Sequence, residues 1–115
     1  MDFLKNFENK NLIIWGAGNS FLQQQSFLKN RNIVFFVDND SHKYNLLFEG
    51  KQVHPPEILK NISFNETKII IASHAYLEIR DFLIQTFHLA ENHDFISSTL
   101  FLYKNYIKKL SGNIS

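Results

Sequence analysis

The chain has 115 residues, of which 44% are apolar and 20% charged, a composition typical of one folded domain and not of a disordered or membrane-embedded chain. Twelve basic and eleven acidic residues give a formal net charge of +1, which argues against a basic nucleic-acid-binding face. Cysteine is absent, and this excludes disulfides, thiolate zinc sites and a cysteine nucleophile. No apolar run approaches the roughly 20 residues of a membrane helix. No signal-peptide pattern opens the sequence either, so a cytoplasmic protein is expected.

The first half of the chain predicts a strand, a glycine turn, a helix and a second strand. Residues 12–15 form an apolar run typical of a parallel strand that is covered on both faces. Glycines follow at positions 16 and 18, and Ser20 is a natural N-cap for a helix that continues towards Lys29. Residues 33–37 form a second buried run. Together these segments predict a βαβ unit.

The second half repeats this alternation with shorter elements. Residues 50–54 suggest a very short strand, and the two prolines that follow it start a helical turn. Residues 68–72 predict another buried strand. Apolar side chains recur three and four positions apart over residues 76–87, which predicts an amphipathic helix. Residues 94–96 suggest a last short strand.

A C-terminal helix is predicted over residues 98–111, and Gly112 would end it. One face of this helix carries an apolar stripe of Leu100, Tyr103, Ile107 and Leu110. Residues 1–10 are expected to form a lead-in helix or arm, and no repeat or linker divides the chain. The pattern therefore predicts a single Rossmann-like α/β domain over residues 1–115, a three-layer sandwich whose parallel sheet of four to five strands has helices on both faces.

The glycine turn carries the clearest chemical signal. Gly16-Ala17-Gly18 resembles the opening of the dinucleotide-binding fingerprint G-x-G-x-x-G, in which backbone amides at a helix N-terminus receive a phosphate. Asp38 closes the second strand, where a carboxylate can accept hydrogen bonds from ribose hydroxyls. Phe21 holds the third glycine position and would push the helix away from the strand or point into the cleft, which disfavours tight NAD(P) or FAD binding. A tight turn without any ligand is the alternative interpretation.

Residues 12–83 resemble the Rossmann-like domains that are attached to sugar-modifying enzymes. Similar domains are the N-terminal nucleotide-sugar-binding domain of bacterial acetyltransferases of the PglD type and the accessory domains of FkbM-type and sugar C-methyltransferases, within a CoA-binding-like fold. The resemblance is carried by Ile14-Trp15-Gly16-Ala17-Gly18, Phe36-Val37-Asp38-Asn39-Asp40, Gly50-Lys51-Gln52-Val53-His54-Pro55 and Ile69-Ile70-Ile71-Ala72-Ser73. It implies contacts with a nucleotide or nucleotide-sugar at Gly16, Gly18, Asn19, Asp38 and Asn39.

The predicted nucleotide site also takes in Ala17 and Ser20 beside the turn, and Ser73 and His74 after the fourth strand. Ligands in open α/β sheets lie outside the carboxyl ends of the strands, so all four residues would face one cleft. His74 is a weak candidate for a catalytic acid or base, with hydrogen bonding or helix capping as its alternative role. For Asp38, contact with the ligand and a structural role in the turn are both open.

The acidic cluster after the second strand does not predict a metal site. Asp38, Asp40 and His42 imitate the spacing of a calcium loop, but Lys43 stands where such a loop requires glycine. Asp40 and His42 are interpreted as turn residues that face solvent. The remaining histidines lack metal-ligand spacing and are expected on the surface; they are His54, His88 and His93.

Three functions from different classes remain. The leading hypothesis is a non-catalytic nucleotide or nucleotide-sugar binding domain in bacterial surface-polysaccharide or sugar-modifying machinery. It would work with a separate catalytic partner, because the sequence contains no Y-x-x-x-K pair, no G-x-S-x-G elbow and no G-x-x-x-x-G-K-[ST] loop. The second is a degenerate Rossmann-like assembly module without ligand, which forms a homodimer through its C-terminal helix. The third is a small nucleotide-sugar-modifying enzyme that uses His74 as its base.

Overall fold

A computed structural model describes the backbone of residues 3–114 and the side chains of residues 3–112. The α-helices and strands along it are β1 (Asn11–Trp15), α1 (Asn19–Leu28), β2 (Ile33–Val37), β3 (Leu47–Phe48), β4 (Lys51–His54), β5 (Thr67–Ile71), α2 (Tyr76–Phe87), β6 (Phe95–Ser97) and α3 (Ser98–Ile114). Short 3₁₀ helices occur at Leu4–Asn6, Ser41–Lys43 and Pro56–Asn61. Within this described part of the chain, no helix is both long and apolar enough to cross a lipid bilayer.

The strands form one six-stranded sheet in the order β3-β4-β2-β1-β5-β6. Neighbouring strands are parallel except for β3, which runs antiparallel to β4. The predicted α/β class with a Rossmann-like parallel sheet is therefore confirmed. β3 is additional to the four or five strands expected, because its two residues are too few to produce a sequence pattern.

Alternating side chains along β1 build a core on each face of the sheet. Leu12 and Ile14 belong to the core that includes residues of α1, α3 and the N-terminal 3₁₀ helix. Ile13 and Trp15 belong to the core that includes residues of α2 and of the 3₁₀ helix Pro56–Asn61. All four side chains are at most 3% exposed. Because both faces are covered, the strand needs an uninterrupted apolar run instead of an alternating one.

Phe21 lies in the layer between α1 and the sheet. Its side chain is 2% exposed, and its ring makes edge-on contacts with Phe36 at 5.0 Å and Phe48 at 5.9 Å between centroids. The expectation that this ring points into the cleft is therefore wrong. Aromatic pairs in this geometry stabilise a core beyond their buried area, so the replacement of the third glycine serves packing.

Two helix termini differ from the sequence prediction. α1 begins at Asn19 with Gly18 as its N-cap, so Ser20 lies in the first turn and is not the cap. The glycine turn already redirects the chain, and the helix starts directly after it. α3 continues through Gly112 to Ile114. Glycine adopts helical angles as readily as positive φ, at a cost of about 1 kcal/mol, so its presence alone does not end a helix.

α3 is attached to the domain through its first turns and not through most of the predicted stripe. Phe101 is 2% exposed, and its ring packs edge-on against Phe7 at 6.1 Å. Leu100 and Leu102 pack partly buried against the same core. The rest of the predicted stripe is 40–59% exposed, and it consists of Tyr103, Ile107 and Leu110.

Gly16 is the point of closest backbone approach at the carboxyl edge of the sheet. Its φ is +122°, and a Cβ on it would lie 2.1 Å from the carbonyl oxygen of Ala72. The amide of Gly16 donates to the carbonyl of Val37, and the amide of Ala72 donates to the carbonyl of Trp15, both at 2.8 Å. Only glycine allows this φ and this approach together. Gly16 therefore permits the ends of β1, β2 and β5 to meet.

The substitution Gly16→Ala is expected to lower the free energy of unfolding by more than about 3 kcal/mol, because left-handed strain adds to overlap with a backbone carbonyl. Gly18→Ala is the matched control, since the backbone of Gly18 is extended and a Cβ there would meet only Lys43 Nζ at 3.5 Å. Its expected loss is within about 1 kcal/mol. Urea unfolding followed by the fluorescence of Trp15 measures both variants. Equal unfolding midpoints would contradict the role assigned to Gly16.

Candidate functional site

The carboxyl ends of β1 and β5 lie side by side at the topological switch point of the sheet, where the following strands are added on opposite sides. From β1 the chain crosses to β2 on one side, and from β5 it crosses to β6 on the other. The helices of these two crossovers, α1 and α2, contribute to the cores on opposite faces of the sheet. A crevice between such helices is where open α/β sheets bind ligands. Residues 16–20, 38–40 and 73–75 follow the strands that end at this edge.

Three of the predicted site residues line one recess at this edge, which we call the polar recess. Ser20 comes from the start of α1, whereas Ser73 and His74 come from the segment after β5. The recess has a volume of about 170 Å³. Its other lining residues, which sequence reasoning missed, are Gln23, Gln24, Ser98 and Thr99. Polar residues in the first turns of helices carry no local signal of a shared cavity; the only hint was that two of them directly follow β6.

Asn39 lines a different recess of about 240 Å³, which we call the α2-side recess. Its wall includes Trp15 at the end of β1 and Pro56 after β4. The carboxylates of Glu57 and Glu78 also lie in it, so the recess is unfavourable for a phosphate group. Of the predicted site residues, three thus line the polar recess and one lines the α2-side recess. Five line neither of them: Gly16, Ala17, Gly18, Asn19 and Asp38.

Asp38 joins β2 to the glycine turn. Its Oδ2 accepts a hydrogen bond from the amide of Ala17 at 2.9 Å, and its Oδ1 accepts one from the amide of Asp40 at 2.9 Å. The side chain is 17% exposed. Both oxygens are therefore used within the chain, which is the structural role that the sequence left open. A carboxylate with two accepted bonds still has lone pairs for a further donor.

Lys43 extends from the 3₁₀ helix Ser41–Lys43 to the glycine turn. Its Nζ donates to the carbonyl of Ala17 at 2.8 Å and lies 3.7 Å from Oδ2 of Asp38. The same atom is 3.5 Å from the place that a Cβ on Gly18 would take. Sequence reasoning used Lys43 only to exclude a calcium loop and missed it as a site residue. The signal in the sequence was a cation on the loop that follows Asp38.

The first turn of α1 adds backbone donors beside this ammonium group. Gly18 is the N-cap and has no side chain, so the cap residue supplies no acceptor to the amides of Asn19 and Ser20. A helix of 10 residues also has a partial positive charge at its N-terminus. Free donor groups, a helix dipole and a lysine together form an environment that attracts an anion.

The loop after β2 is held by bonds within its own turn. Asp40 accepts a hydrogen bond from the amide of His42 at 3.0 Å, and this bond lowers the pKa of the Asp40 carboxyl. Burial raises the pKa of Tyr44, with smaller contributions from the charges of Glu57 and Asp38. Asp40 and His42 thus form the turn expected for them. Among the described residues, no group of three or more side chains is arranged to hold a metal ion.

Neither residue of the Ser73-His74 pair has a partner of the kind found in catalytic pairs. The Ser73 hydroxyl accepts a hydrogen bond from the amide of Ala75 at 3.1 Å, which leads the chain into α2. His74 is exposed, and within residues 3–112 no hydrogen bond or ion pair joins its ring to another residue. An acid–base role for His74 therefore lacks a side chain that would orient the imidazole.

Comparisons with known proteins agree with the architecture. The family model described as C2185-like, N-terminal, matches residues 8–94. The crystal structure of UDP-D-quinovosamine 4-dehydrogenase from Vibrio fischeri aligns with a TM-score of 0.52 and 21% sequence identity, covering 70% of this chain and 74% of that chain. No curated protein matches the sequence. At this level of identity, the solved structure supports the Rossmann-like fold and nothing finer.

Asp38→Ala is expected to lower the free energy of unfolding by about 2–4 kcal/mol, because the amides of Ala17 and Asp40 lose a charged, partly buried acceptor. Asp40→Ala is the control, since it removes the bonds to the amide and the ring of His42 from a carboxylate that is 47% exposed. Its expected loss is clearly smaller, because water replaces these bonds in an exposed turn. Urea unfolding at pH 7 compares them. If the two variants lose the same stability, Asp38 does not hold the glycine turn.

Proposed function

The chain belongs to the C2185-like, N-terminal family, and we propose that it is a nucleotide-sugar-binding domain that works with a separate catalytic partner. The observation that carries this proposal is the ammonium group of Lys43 beside the backbone of Ala17 and Gly18 at the start of α1. The similar Vibrio fischeri enzyme, a UDP-D-quinovosamine 4-dehydrogenase, acts on a UDP-linked sugar. UDP-sugars are therefore the first ligands to test on this chain.

In this proposal the diphosphate group lies on the glycine turn. The amides of Asn19 and Ser20 donate to its oxygens, and Lys43 supplies the counter-charge. Lys43 donates to the carbonyl of Ala17 and forms an ion pair with Asp38 at 3.7 Å, so a phosphate oxygen would share the ammonium group with these two acceptors. The side chain of Lys43 is 38% exposed, which leaves its head group accessible from solvent.

The nucleoside would occupy the α2-side recess. Asp38 would keep its bond to Ala17 and use a remaining lone pair for a ribose hydroxyl, and Asn39 lines the entrance. Glu57 and Glu78 repel phosphate, but their oxygens accept hydrogen bonds from the N–H groups of a base. This orientation keeps the anionic diphosphate beside Lys43 and away from the carboxylates of Glu57 and Glu78, which face only the neutral nucleoside.

The proposal predicts thermal stabilisation by one class of nucleotide. A screen with UDP- and GDP-sugars, NAD, NADP, coenzyme A and S-adenosylmethionine should give a shift with a sugar nucleotide. A ligand at 100 times its Kd adds about 2.7 kcal/mol, which raises the midpoint by on the order of 10 °C for a domain of this size. In calorimetric titrations Lys43→Gln should weaken the binding of that ligand about tenfold or more, because a charged hydrogen bond is lost.

Lys29→Gln is the charge-matched control for Lys43→Gln, since Lys29 is exposed and caps the end of α1 opposite to the glycine turn, about 15 Å away along a helix of 10 residues. It should leave the affinity within about twofold, because charges separated by more than a Debye length are screened. Equal losses in both variants would mean that only net charge matters. No shift with any nucleotide in the screen would refute the proposed function.

We propose self-association through α3 as a second candidate function, because one groove gathers exposed aromatic side chains. Phe27 is 66% exposed, Tyr103 59% and Tyr106 60%, and all three line a groove of about 420 Å³ between α1 and α3. Grouped apolar surface of this kind marks interfaces. The occupant we propose is the same groove of a second copy, related by a two-fold axis. Arg31 and Lys109 also line the groove, so two copies would repel each other at low salt.

The double substitution Tyr103→Glu/Tyr106→Glu is expected to weaken dimer formation more than tenfold and to leave the monomer folded, because neither side chain is buried. Leu77→Glu on α2 is the control, since Leu77 is 62% exposed outside the groove. Sedimentation equilibrium at 50 and 500 mM salt should show a tighter wild-type dimer at the higher salt. Deleting α3 is a poor test because Phe101 belongs to the core. A wild-type chain that stays monomeric at both salt concentrations contradicts the candidate.

A further inference from the structure

The polar recess is lined by one narrow class of side chains. Among the described residues that form its wall, three are serines, one is a threonine, two are glutamines and one is a histidine: Ser20, Ser73, Ser98, Thr99, Gln23, Gln24 and His74. These residues offer hydroxyl, amide and imidazole groups, each of which provides donors and acceptors. The wall contains neither a carboxylate, a lysine or arginine, nor a phenylalanine, tyrosine or tryptophan.

This chemistry excludes two parts of a nucleotide-sugar. A base is bound by stacking on aromatic rings, and among the described lining residues the one such ring is the imidazole of the exposed His74. A diphosphate is better served at the glycine turn, where Lys43 supplies a full positive charge. A ring bearing several hydroxyl groups needs many neutral donors and acceptors, and these are what the wall provides. The volume of about 170 Å³ is below the roughly 300–1,000 Å³ of whole-ligand pockets, so the recess accommodates one such group.

Part of the wall is already ordered by the fold. Ser98 is 4% exposed, and its hydroxyl donates to Oε1 of Gln24 at 2.6 Å. That bond leaves the NH₂ group of Gln24 as a donor in a set orientation. The hydroxyl of Ser97 accepts from the amide of Leu100 at 3.1 Å, which orients the first turn of α3 and thus Thr99. Preorganised donors reduce the ordering cost of binding.

We propose that the polar recess binds the glycosyl group of the ligand. The reasons are the neutral polar side chains of its wall, the hydrogen bonds that already order them, and the presence of Ser20 from the first turn of α1 in that wall. This inference rests on the proposed function, since the phosphate on the glycine turn brings the sugar to Ser20 and so to the recess. Gln23, Gln24 and Thr99 recognise hydroxyl groups of the sugar. The nucleoside lies on the opposite side of the turn, towards Asn39. Discrimination among sugars then depends on α1 and α3, whereas affinity for the nucleotide depends on the glycine turn and Lys43.

The test compares UDP with UDP-N-acetylglucosamine and UDP-galactose by calorimetric titration of the full chain. Wild-type protein should bind at least one of the UDP-sugars about tenfold or more tightly than UDP. The double variant Gln23→Leu/Thr99→Val should reduce the affinity for that UDP-sugar to the affinity for UDP, because lost neutral hydrogen bonds cost about threefold to tenfold each. The affinity for UDP should stay within about twofold of the wild-type value.

The variant Gln85→Leu/Thr86→Val on α2 is the matched control, since it makes the same changes at two exposed residues outside the recess. A second variant, Thr99→Tyr, fills the recess at an exposed position and should also abolish the preference for the sugar. Thermal unfolding confirms that each variant is folded before titration.

The outcomes separate the inference from the proposed function. If wild-type protein binds UDP and the UDP-sugars equally, or if the recess variants keep the preference for the sugar, the glycosyl group lies elsewhere and the inference is overturned while the proposed function stands. If the recess variants weaken UDP and the UDP-sugars alike, the recess holds phosphate and the inference is likewise wrong. If wild-type protein binds none of these ligands and no sugar nucleotide shifts its unfolding midpoint in the thermal screen, both proposals are refuted.

Discussion

The approach of the Gly16 backbone to the carbonyl of Ala72 is the constraint on which the edge of the sheet depends. A Cβ at Gly16 would lie 2.1 Å from that oxygen, so no side chain fits between β1 and the segment that follows β5. The amides of Gly16 and Ala72 bond to the carbonyls of Val37 and Trp15, which brings three strand ends into register. The two recesses lie at this edge, since Ser73 lines the polar recess and Trp15 and Ala75 line the α2-side recess.

The groups of the proposed anion site also stabilise the turn by themselves. Asp38 and Lys43 both bond to Ala17, one through the amide and the other through the carbonyl. The carboxylate is the more buried of the two, with 17% exposure against 38% for the lysine. Asp38 is therefore mainly a structural residue, and its substitution changes stability and binding together. Lys43 is the better residue for a test of binding alone, because its side chain is the more exposed of the two while it contacts both the carbonyl of Ala17 and the carboxylate of Asp38.

Aromatic packing explains how the fold departs from the dinucleotide-binding pattern. Phe21, Phe36 and Phe48 fill the layer between α1 and the β2 side of the sheet with edge-on contacts, where the fingerprint has a glycine and a closer helix. The departure affects the core and leaves the amides at the start of α1 unchanged. An aromatic side chain also anchors α3, since Phe101 is buried in its first turns. The side chains of Tyr103 and Tyr106 are exposed and can contact another molecule.

By itself the sequence determined the strands and the βαβ unit, because an uninterrupted apolar run over residues 12–15 or 69–71 is required wherever a parallel strand is covered on both faces. It also determined the glycine turn and the acid that closes β2, since both are local backbone requirements. Only the tertiary structure decided where Phe21 points, that Lys43 returns to Ala17, and that Gln24 meets Ser98 across α1 and α3. Periodicity reports which face of an element is buried, whereas a site joins residues that are distant in the chain and leaves no mark in the local pattern.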